Sequence, residues 1–344
     1  MKEMKNKTKI IIGTIIILIA GFVGYKVINN AIPGETIYIS VSQGDSVSEV
    51  ADQVVAKGAK VSYDRLYKEF IKQEATIYPN DYEINTKMSA KEIVSILSNP
   101  QSNITGENLV IIEGDNIENV ANNVASKSNN RFSKEEVLAY WDNKDTLNTL
   151  IDKYWFLDET LLDENIIHPL EGYFAPATYT LTPDYTIEEL TTKFLDAMET
   201  NLEPYKEVSS RNDLTINQMV TLASIVERET MTKEDKYKVA GVFYNRLEQG
   251  MPLQSDITVL YALGEHKEIV TYEDLEVDSL YNTYKYTGIP IAPVAMVSKD
   301  SLEAVANPQD NDYLYFFAKQ HTGEIIYSKT LEEHKKVSEE NAWE

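Results

Sequence analysis

Thr221-Leu-Ala-Ser-Ile-Val-Glu-Arg-Glu-Thr230 sets a carboxylate inside an apolar helical stripe, where a glutamate can be tuned into a proton donor. Thr215 and Gln218 have capping-box spacing, which predicts a helix start there. Ile216, Met219, Val220, Ala223 and Val226 then recur with the period of one helical face. Glu227 follows Ala223 by four residues and Val220 by seven, so it points where they point. Loss of hydration there would raise its pKa and favour the neutral acid. The competing reading is a boundary Glu paired with Arg228 or Lys233. Glu229, two positions further, faces away on this spacing and reads as a surface charge.

The elements around this helix follow from the same grammar. Thr232 with Asp235 starts a second helix, carrying Tyr237, Ala240, Phe243, Tyr244 and Leu247 and stopping at Gly250. Met251-Pro-Leu-Gln-Ser-Asp-Ile257 turns into a third, capped by Ser255 and ended by Gly264. An aperiodic loop rich in Tyr, Asn and Thr follows, Tyr281-Asn-Thr-Tyr-Lys-Tyr-Thr-Gly-Ile-Pro-Ile-Ala-Pro293, a composition more common in functional loops than in cores. Segments 313–318 and 324–328 flank Gly323 as a hairpin, and Thr330 with Glu333 caps a final helix. Upstream, residues 132–212 read as mainly helical, with Ser133 and Thr186 as caps. His168-Pro-Leu-Glu-Gly-Tyr-Phe-Ala-Pro-Ala-Thr-Tyr179 is the exception: its prolines and glycine exclude a regular element. This stretch is either a packed cross-connection or, with Glu171 beside Tyr173 and Phe174, one wall of a sugar cleft, since aromatic faces suit pyranose rings.

At the N-terminus, Lys2, Lys5, Lys7 and Lys9 precede an apolar run from Ile10 to Ile28, broken by Lys26. The run is near the lower limit of about 17 residues for a bilayer span, and its basic flank predicts a cytoplasmic N-terminus. A cleaved signal peptide is the alternative, although no small-x-small site follows. The reading is a cytoplasmic tail at 1–9, an anchor at 10–28 and an extracytoplasmic remainder. Beyond Ile32-Pro-Gly34, a strand at 36–41, the turn Gln43-Gly-Asp45 and a helix from Val47 to Lys57 form one unit. It returns 70 residues later as Leu109-Val-Ile-Ile112, Glu113-Gly-Asp115 and a helix carrying Ile117, Val120, Ala121 and Val124, an internal duplication. The first unit continues through helix 63–72, a strand at 81–85 and a helix after Ser89, boxed by Glu92. The Gly-Asp turn followed by Ser46-Val-Ser-Glu-Val-Ala51 resembles the opening of LysM carbohydrate-binding modules; a framework role without glycan competes with that reading.

A net charge of −23 with no basic stripe argues against nucleic acid as a partner. Zero cysteines exclude disulfides and thiolate chemistry, and four histidines without ligand spacing argue against a metal centre. No cofactor is expected. The 344 residues allow two or three domains. The fold class is α+β: the anchor, a small LysM-like domain at 29–105, and a mainly helical catalytic domain with a β-hairpin at 106–344, opening on the second strand–turn–helix unit at 106–130.

Leu222-Ala-Ser-Ile-Val-Glu-Arg-Glu-Thr230, Val242-Phe-Tyr-Asn-Arg-Leu247, Met251-Pro-Leu-Gln-Ser-Asp256 and Tyr281-Asn-Thr-Tyr284 occur in order, between Glu171-Gly-Tyr-Phe174 and Ser301-Leu-Glu-Ala-Val-Ala-Asn-Pro308. With the N-terminal anchor, this set resembles the endolytic murein transglycosylase (YceG-like) family over nearly the whole chain after the anchor. The resemblance implies a lyase that cleaves the β-1,4 bond between N-acetylmuramic acid and N-acetylglucosamine in nascent peptidoglycan, leaves 1,6-anhydro ends and associates with peptidoglycan synthases. It assigns the essential Glu to Glu227. Tyr173, Tyr281 and Tyr284 would then exclude water, while Asn245, Gln254, Ser255 and Asn282 would hydrogen-bond the sugars. For Asn245 and Arg246, helix–helix hydrogen bonding is an equal alternative. Two rivals remain: a hydrolase using Glu171 or Asp256 as second carboxylate, and a wall-binding scaffold in which Glu227 is structural.

Overall fold

The computed structural model describes residues 34–102, 107–206, 214–265, 267, 270–319 and 322–341. The expected anchor at 10–28 lies outside them; among the described residues no helix is long and apolar enough to cross a membrane. The chain divides into two compact units at Thr105/Gly106.

In the first unit, β1 (Thr36–Val41) leads to α1 (Val47–Ala56), α2 (Tyr63–Lys72), β2 (Asn80–Asn85) and α3 (Ala90–Leu97). β1 and β2 pair antiparallel, Thr36 opposite Asn85 and Val41 opposite Asn80. Alternation puts Ile37, Ile39 and Val41 on the buried face, where they meet Val50, Val54, Leu66, Phe70 and Ile93 in one core. Ser46 with Glu49 and Ser89 with Glu92 close full capping boxes, so both helix starts are set locally. Gly44, at φ 98°, makes the turn between β1 and α1 in a conformation only glycine adopts without strain.

The second unit repeats this order. β3 (Glu107–Ile111), a turn at Gly114 and α4 (Ile117–Lys127), capped by Asn116, match β1, Gly44 and α1. After α5 (Lys134–Trp141) and α6 (Lys144–Lys153) the chain returns as β4 (Ala177–Leu181), antiparallel to β3. Each copy is thus a strand, two helices and a returning strand, with α6 and a long connection inserted in the second. β4 begins inside the 168–179 stretch from which the sequence excluded regular structure: Pro176 ends the irregular part, and the edge of β3 needs a partner for its backbone.

The remaining elements are α7 (Ile187–Leu202), α8 (Ile216–Glu229), α9 (Lys233–Glu248), α10 (Asp256–Leu263), α11 (Lys299–Ala306), the hairpin β5 (Tyr315–Ala318) and β6 (Ile325–Ser328), and α12 (Leu331–Asn341). Ser133, Thr186 and Thr215 cap α5, α7 and α8 as their spacing predicts. α8 is the central element, packed on α9, α10 and α11 with all of Met219–Val226 buried. A helix apolar on every side has no solvent face over that length, so the side chains of its last turn emerge against neighbouring elements.

Candidate active site

Two carboxylates leave the last turn of α8 into opposite environments. The Glu227 side chain is 8% exposed. Its Oε1 accepts from Lys236 Nζ at 2.6 Å, and its Oε2 from the Ser298 backbone N–H at 3.0 Å, the Ser298 hydroxyl and the Ser301 hydroxyl at 2.6 Å. Ser298 is the N-cap of α11, so the carboxylate also sits at the positive end of a helix. Burial pushes its pKa up, but the bonds from Lys236, Ser298 and Ser301 prevail and hold it below the ordinary glutamate value. In place of the expected upward shift, the carboxyl is paired with Lys236 and drawn below its ordinary value. The ion-pair reading had the right kind of partner, with Lys236 in place of Arg228 or Lys233.

Glu229 is the opposite case. It is half-buried, not the surface charge its offset from Glu227 suggested, because Leu222, Ile225 and Val226 precede it by seven, four and three residues on a stripe that is itself buried. Burial pushes its carboxyl up to about 6; a hydrogen bond from Ser255 lowers it and the charge of Asp256 raises it further. As the last residue of α8, it also stands at the negative helix end, which disfavours its anion. The surroundings thus drive the two carboxyls in opposite directions, Glu227 down and Glu229 up.

The segment after Gly250 supplies the neighbours of Glu229. Ser255 is the N-cap of α10, yet its hydroxyl does not cap; it donates to Glu229 Oε1 at 2.5 Å. Asp256, exposed beside it, accepts from the Tyr284 hydroxyl at 2.5 Å. Burial, then this bond to Asp256, pushes the Tyr284 phenol well above its ordinary value, so it stays a donor. Gln254 is exposed and held at φ 51°, a left-handed conformation uncommon outside glycine and typical of constrained functional turns. Its N–H donates to the Thr283 carbonyl at 3.1 Å, and the Ser255 N–H donates to Thr283 Oγ1 at 3.0 Å. Arg246, buried against the Tyr315 ring, donates to the carbonyls of Leu253 at 2.8 Å and Leu314 at 2.6 Å. Thr283 and Arg246 therefore fix the turn that carries Gln254, Ser255 and Asp256.

Of the expected sugar-contacting residues, Gln254, Ser255, Asp256 and Tyr284 gather around Glu229. The others are scaffold. Tyr173 is buried and accepts from Asn217 Nδ2 at 3.1 Å. Asn245 donates to the carbonyls of Asn311 and Tyr313, tying α9 to the segment before β5 rather than to another helix. Tyr281 is fully buried, its hydroxyl accepting from the Ile167 N–H at 3.3 Å. Asn282 is spent on its own loop: Nδ2 donates to Leu275 and Val277 carbonyls, and Oδ1 accepts from the Tyr284 N–H.

Glu171 has no exposure at all, and both its oxygens accept from the Ile117 N–H at the start of α4. Tyr261 donates to Oε2 at 3.2 Å. Gly172 follows at φ 81°, where a Cβ would come within 2.5 Å of Pro293; the Glu-Gly-Tyr-Phe motif is a packing motif. Burial pushes Glu171 to about 7, against the opposing bond from Ile117. An acid with its folded-state pKa above its unfolded value stabilises the fold fully below the unfolded pKa, near 4.5, and loses that contribution as pH rises through 7. The gap corresponds to on the order of 3 kcal/mol. Melting temperature should therefore fall more steeply between pH 5 and 8 in the wild type than in Glu171→Gln; parallel curves would remove Glu171 as the source.

Glu171 also forms the base of a cleft of about 370 Å³ that runs between the start of α4, the 167–171 segment and α10, with Arg228 on its rim. Arg228 immediately precedes Glu229 in the chain, and Ile257, also in the wall, immediately follows Asp256, while Glu229 and Asp256 themselves are not in the lining.

A sequence profile of the YceG-like family matches residues 39–340. The chain is 36% identical over 310 residues to the endolytic murein transglycosylase of Bacillus subtilis (strain 168), covering 88% of this chain and 84% of that protein. It is 31% identical over 335 residues to the endolytic murein transglycosylase of Streptococcus pneumoniae serotype 2, covering 91% of this chain and 61% of the relative. A crystal structure of a YceG-like protein from Listeria monocytogenes superimposes with a TM-score of 0.64 at 34% identity, over 88% of this chain and 99% of that one. The chain belongs to the YceG-like family, whose named relatives are endolytic murein transglycosylases.

Proposed function

We propose that this chain is a lytic transglycosylase that cleaves the β-1,4 bond between N-acetylmuramic acid and N-acetylglucosamine within nascent peptidoglycan, ending strands as 1,6-anhydro-N-acetylmuramic acid, with Glu229 as its acid. The reading is carried by one observation: a half-buried carboxyl lifted to about 6 and oriented by a hydrogen bond from Ser255, beside the Asp256–Tyr284 pair. Ser255 engages Oε1, and Oε2 is the atom assigned the proton. Protonated Glu229 gives that proton to the glycosidic oxygen as the C1–O bond breaks, with charge developing on the muramyl C1. The carboxylate then takes the proton of the muramyl C6 hydroxyl, whose oxygen closes onto C1. Positioning that hydroxyl replaces a bimolecular attack by an intramolecular one. One carboxyl serves both transfers, and Tyr284 and Gln254 are assigned the sugar hydroxyl or N-acetyl groups.

Asp256 supports a second reading. A carboxylate bonded to Tyr284 beside the acid is where a hydrolase would keep its base. Product mass separates the two, since an anhydro end is lighter than a hydrolysed end by one water. Incubation with isolated strands should yield anhydro ends, at a rate that falls as pH rises through about 6, because only the protonated acid donates. Hydrolysed ends alone would transfer the role of Asp256 to water activation and end the lyase reading.

The apolar run at 10–28 supports a single-pass anchor with its N-terminus cytoplasmic, which would hold the enzyme beside newly polymerised strands and their synthases. The repeated strand, two-helix, strand unit is assigned to holding or orienting glycan above the membrane.

A further inference from the structure

We propose that the cleft between α4 and α10 is a subsite for the peptide branch of the murein strand, separate from the sugar contacts around Glu229; this rests on the murein-cleaving reading above. Its lining is mixed, aliphatic at Ile167, Ile257, Leu260 and Val294 and polar at Asn116, Asn119, Glu118 and Glu265. The single aromatic ring in the lining, Tyr261, packs on Tyr281 with centroids 5.0 Å apart, and its hydroxyl is engaged by Glu171. A pyranose would find little aromatic face to stack on there.

Beside its aliphatic surface the cleft carries charge of both signs, acids in the majority: Asp115, Glu118, Glu171 and Glu265 against Arg228 and His168. The Arg228 guanidinium is fixed on the rim by a 2.8 Å bond from Nη1 to the Gly114 carbonyl, leaving further donors in its fork. Asp115 faces it from the turn before α4, accepting from Asn119 Nδ2 at 3.3 Å. His168 stands at the inner end with Asp142 at 3.1 Å; burial lowers its pKa, but Asp142, Glu171 and Glu118 together hold it above the ordinary value. A neutral glycan needs neither sign. The murein peptide needs both: alanine methyls for the aliphatic walls, free carboxylates for Arg228 and His168, and the side-chain amine of its diamino acid for Asp115. In the chain the lining comes within one residue of Glu229 on α8 and of Asp256 on α10.

Titration calorimetry tests this without turnover, so its outcome is independent of the lyase reading. The probes are the free stem pentapeptide Ala–γ-Glu–Lys–Ala–Ala, the same peptide with the lysine amine acetylated, and an N-acetylglucosamine tetramer. The full chain should bind the pentapeptide, and Arg228→Gln should weaken it by about tenfold, the loss of one charged hydrogen bond. Asp115→Asn should weaken the free-amine peptide to the level of the acetylated one and leave the acetylated one unchanged. Pentapeptide binding unaltered by both substitutions, or no tighter than tetramer binding by the wild type, would overturn the proposal.

Discussion

Replacing Glu229 by Gln is expected to reduce turnover of isolated murein strands by about 10²–10⁴-fold, the usual contribution of a general acid, while KM changes little. The geometry makes this a clean substitution. A glutamine carbonyl can still accept from Ser255 at the position of Oε1, and Asp256, Tyr284 and the turn held by Arg246 and Thr283 are untouched. What disappears is the exchangeable proton. Stability should not fall: an acid with its folded-state pKa raised to about 6 is, when ionised above that pH, a destabilising group, so a neutral amide is tolerated or mildly favourable at pH 8. The decisive comparison is Glu227→Gln assayed on the same strands. That protein loses an acceptor for Lys236 but keeps the Glu229 proton, so the folded fraction should retain substantial activity. Full activity in Glu229→Gln together with complete loss in Glu227→Gln would return the acid role to Glu227.

The two glutamates also mark where sequence reasoning works and where it stops. Helix starts were legible because a capping box is a contact over three residues: Ser89, Ser133, Thr186 and Thr215 all cap where expected. The hairpin around Gly323 and the burial of Glu227 were legible for the same local reason, alternation and helical period. The chemistry of Glu227 was not, because it is set by groups that arrive from 9, 71 and 74 residues away: Lys236, Ser298 and Ser301. Period can say that a carboxylate turns inward, but not whether a cation waits there. The burial of Glu229 escaped a reading in which its two-residue offset from Glu227 turns it to the surface. The signal that could have found it was already in Leu222, Ile225 and Val226, a second apolar stripe leading to it. The Tyr281-Asn-Thr-Tyr284 loop misled in a different way. Its polar and aromatic composition is functional in purpose, but three of the four side chains work inward, bracing the Gln254–Asp256 turn and their own loop, and Tyr284 reaches the acid cluster. Ser255 is the instructive exception to local grammar: an N-cap by position whose hydroxyl is diverted to the acid.

Lys236→Met should produce the reciprocal phenotype, a loss of stability rather than of chemistry. The ammonium is buried between α8, α9 and α11 and donates to Glu227 at 2.6 Å and to Ser301 Oγ at 2.9 Å. Removing it leaves an ionised carboxylate in a site only 8% exposed. Stripping one partner from a buried pair typically costs about 3–5 kcal/mol, because the remaining charge keeps its desolvation penalty without its counterion. The α11 N-terminus and the hydroxyls of Ser298 and Ser301 still solvate Glu227, so the lower end of that range, about 3 kcal/mol, is expected. The loss has a pH signature. Glu227 has a lowered folded-state pKa in the wild type, so its contribution is present above the unfolded pKa and disappears as pH falls through the folded value. Without Lys236 the desolvation penalty is less opposed and the folded pKa rises, so the difference between Lys236→Met and wild type should be large at pH 7 and shrink towards pH 4. Denaturant unfolding at the two pH values measures this directly. A stability difference that stays constant across them would mean that Lys236 acts through packing of its methylene stem rather than through the charge it sets against Glu227.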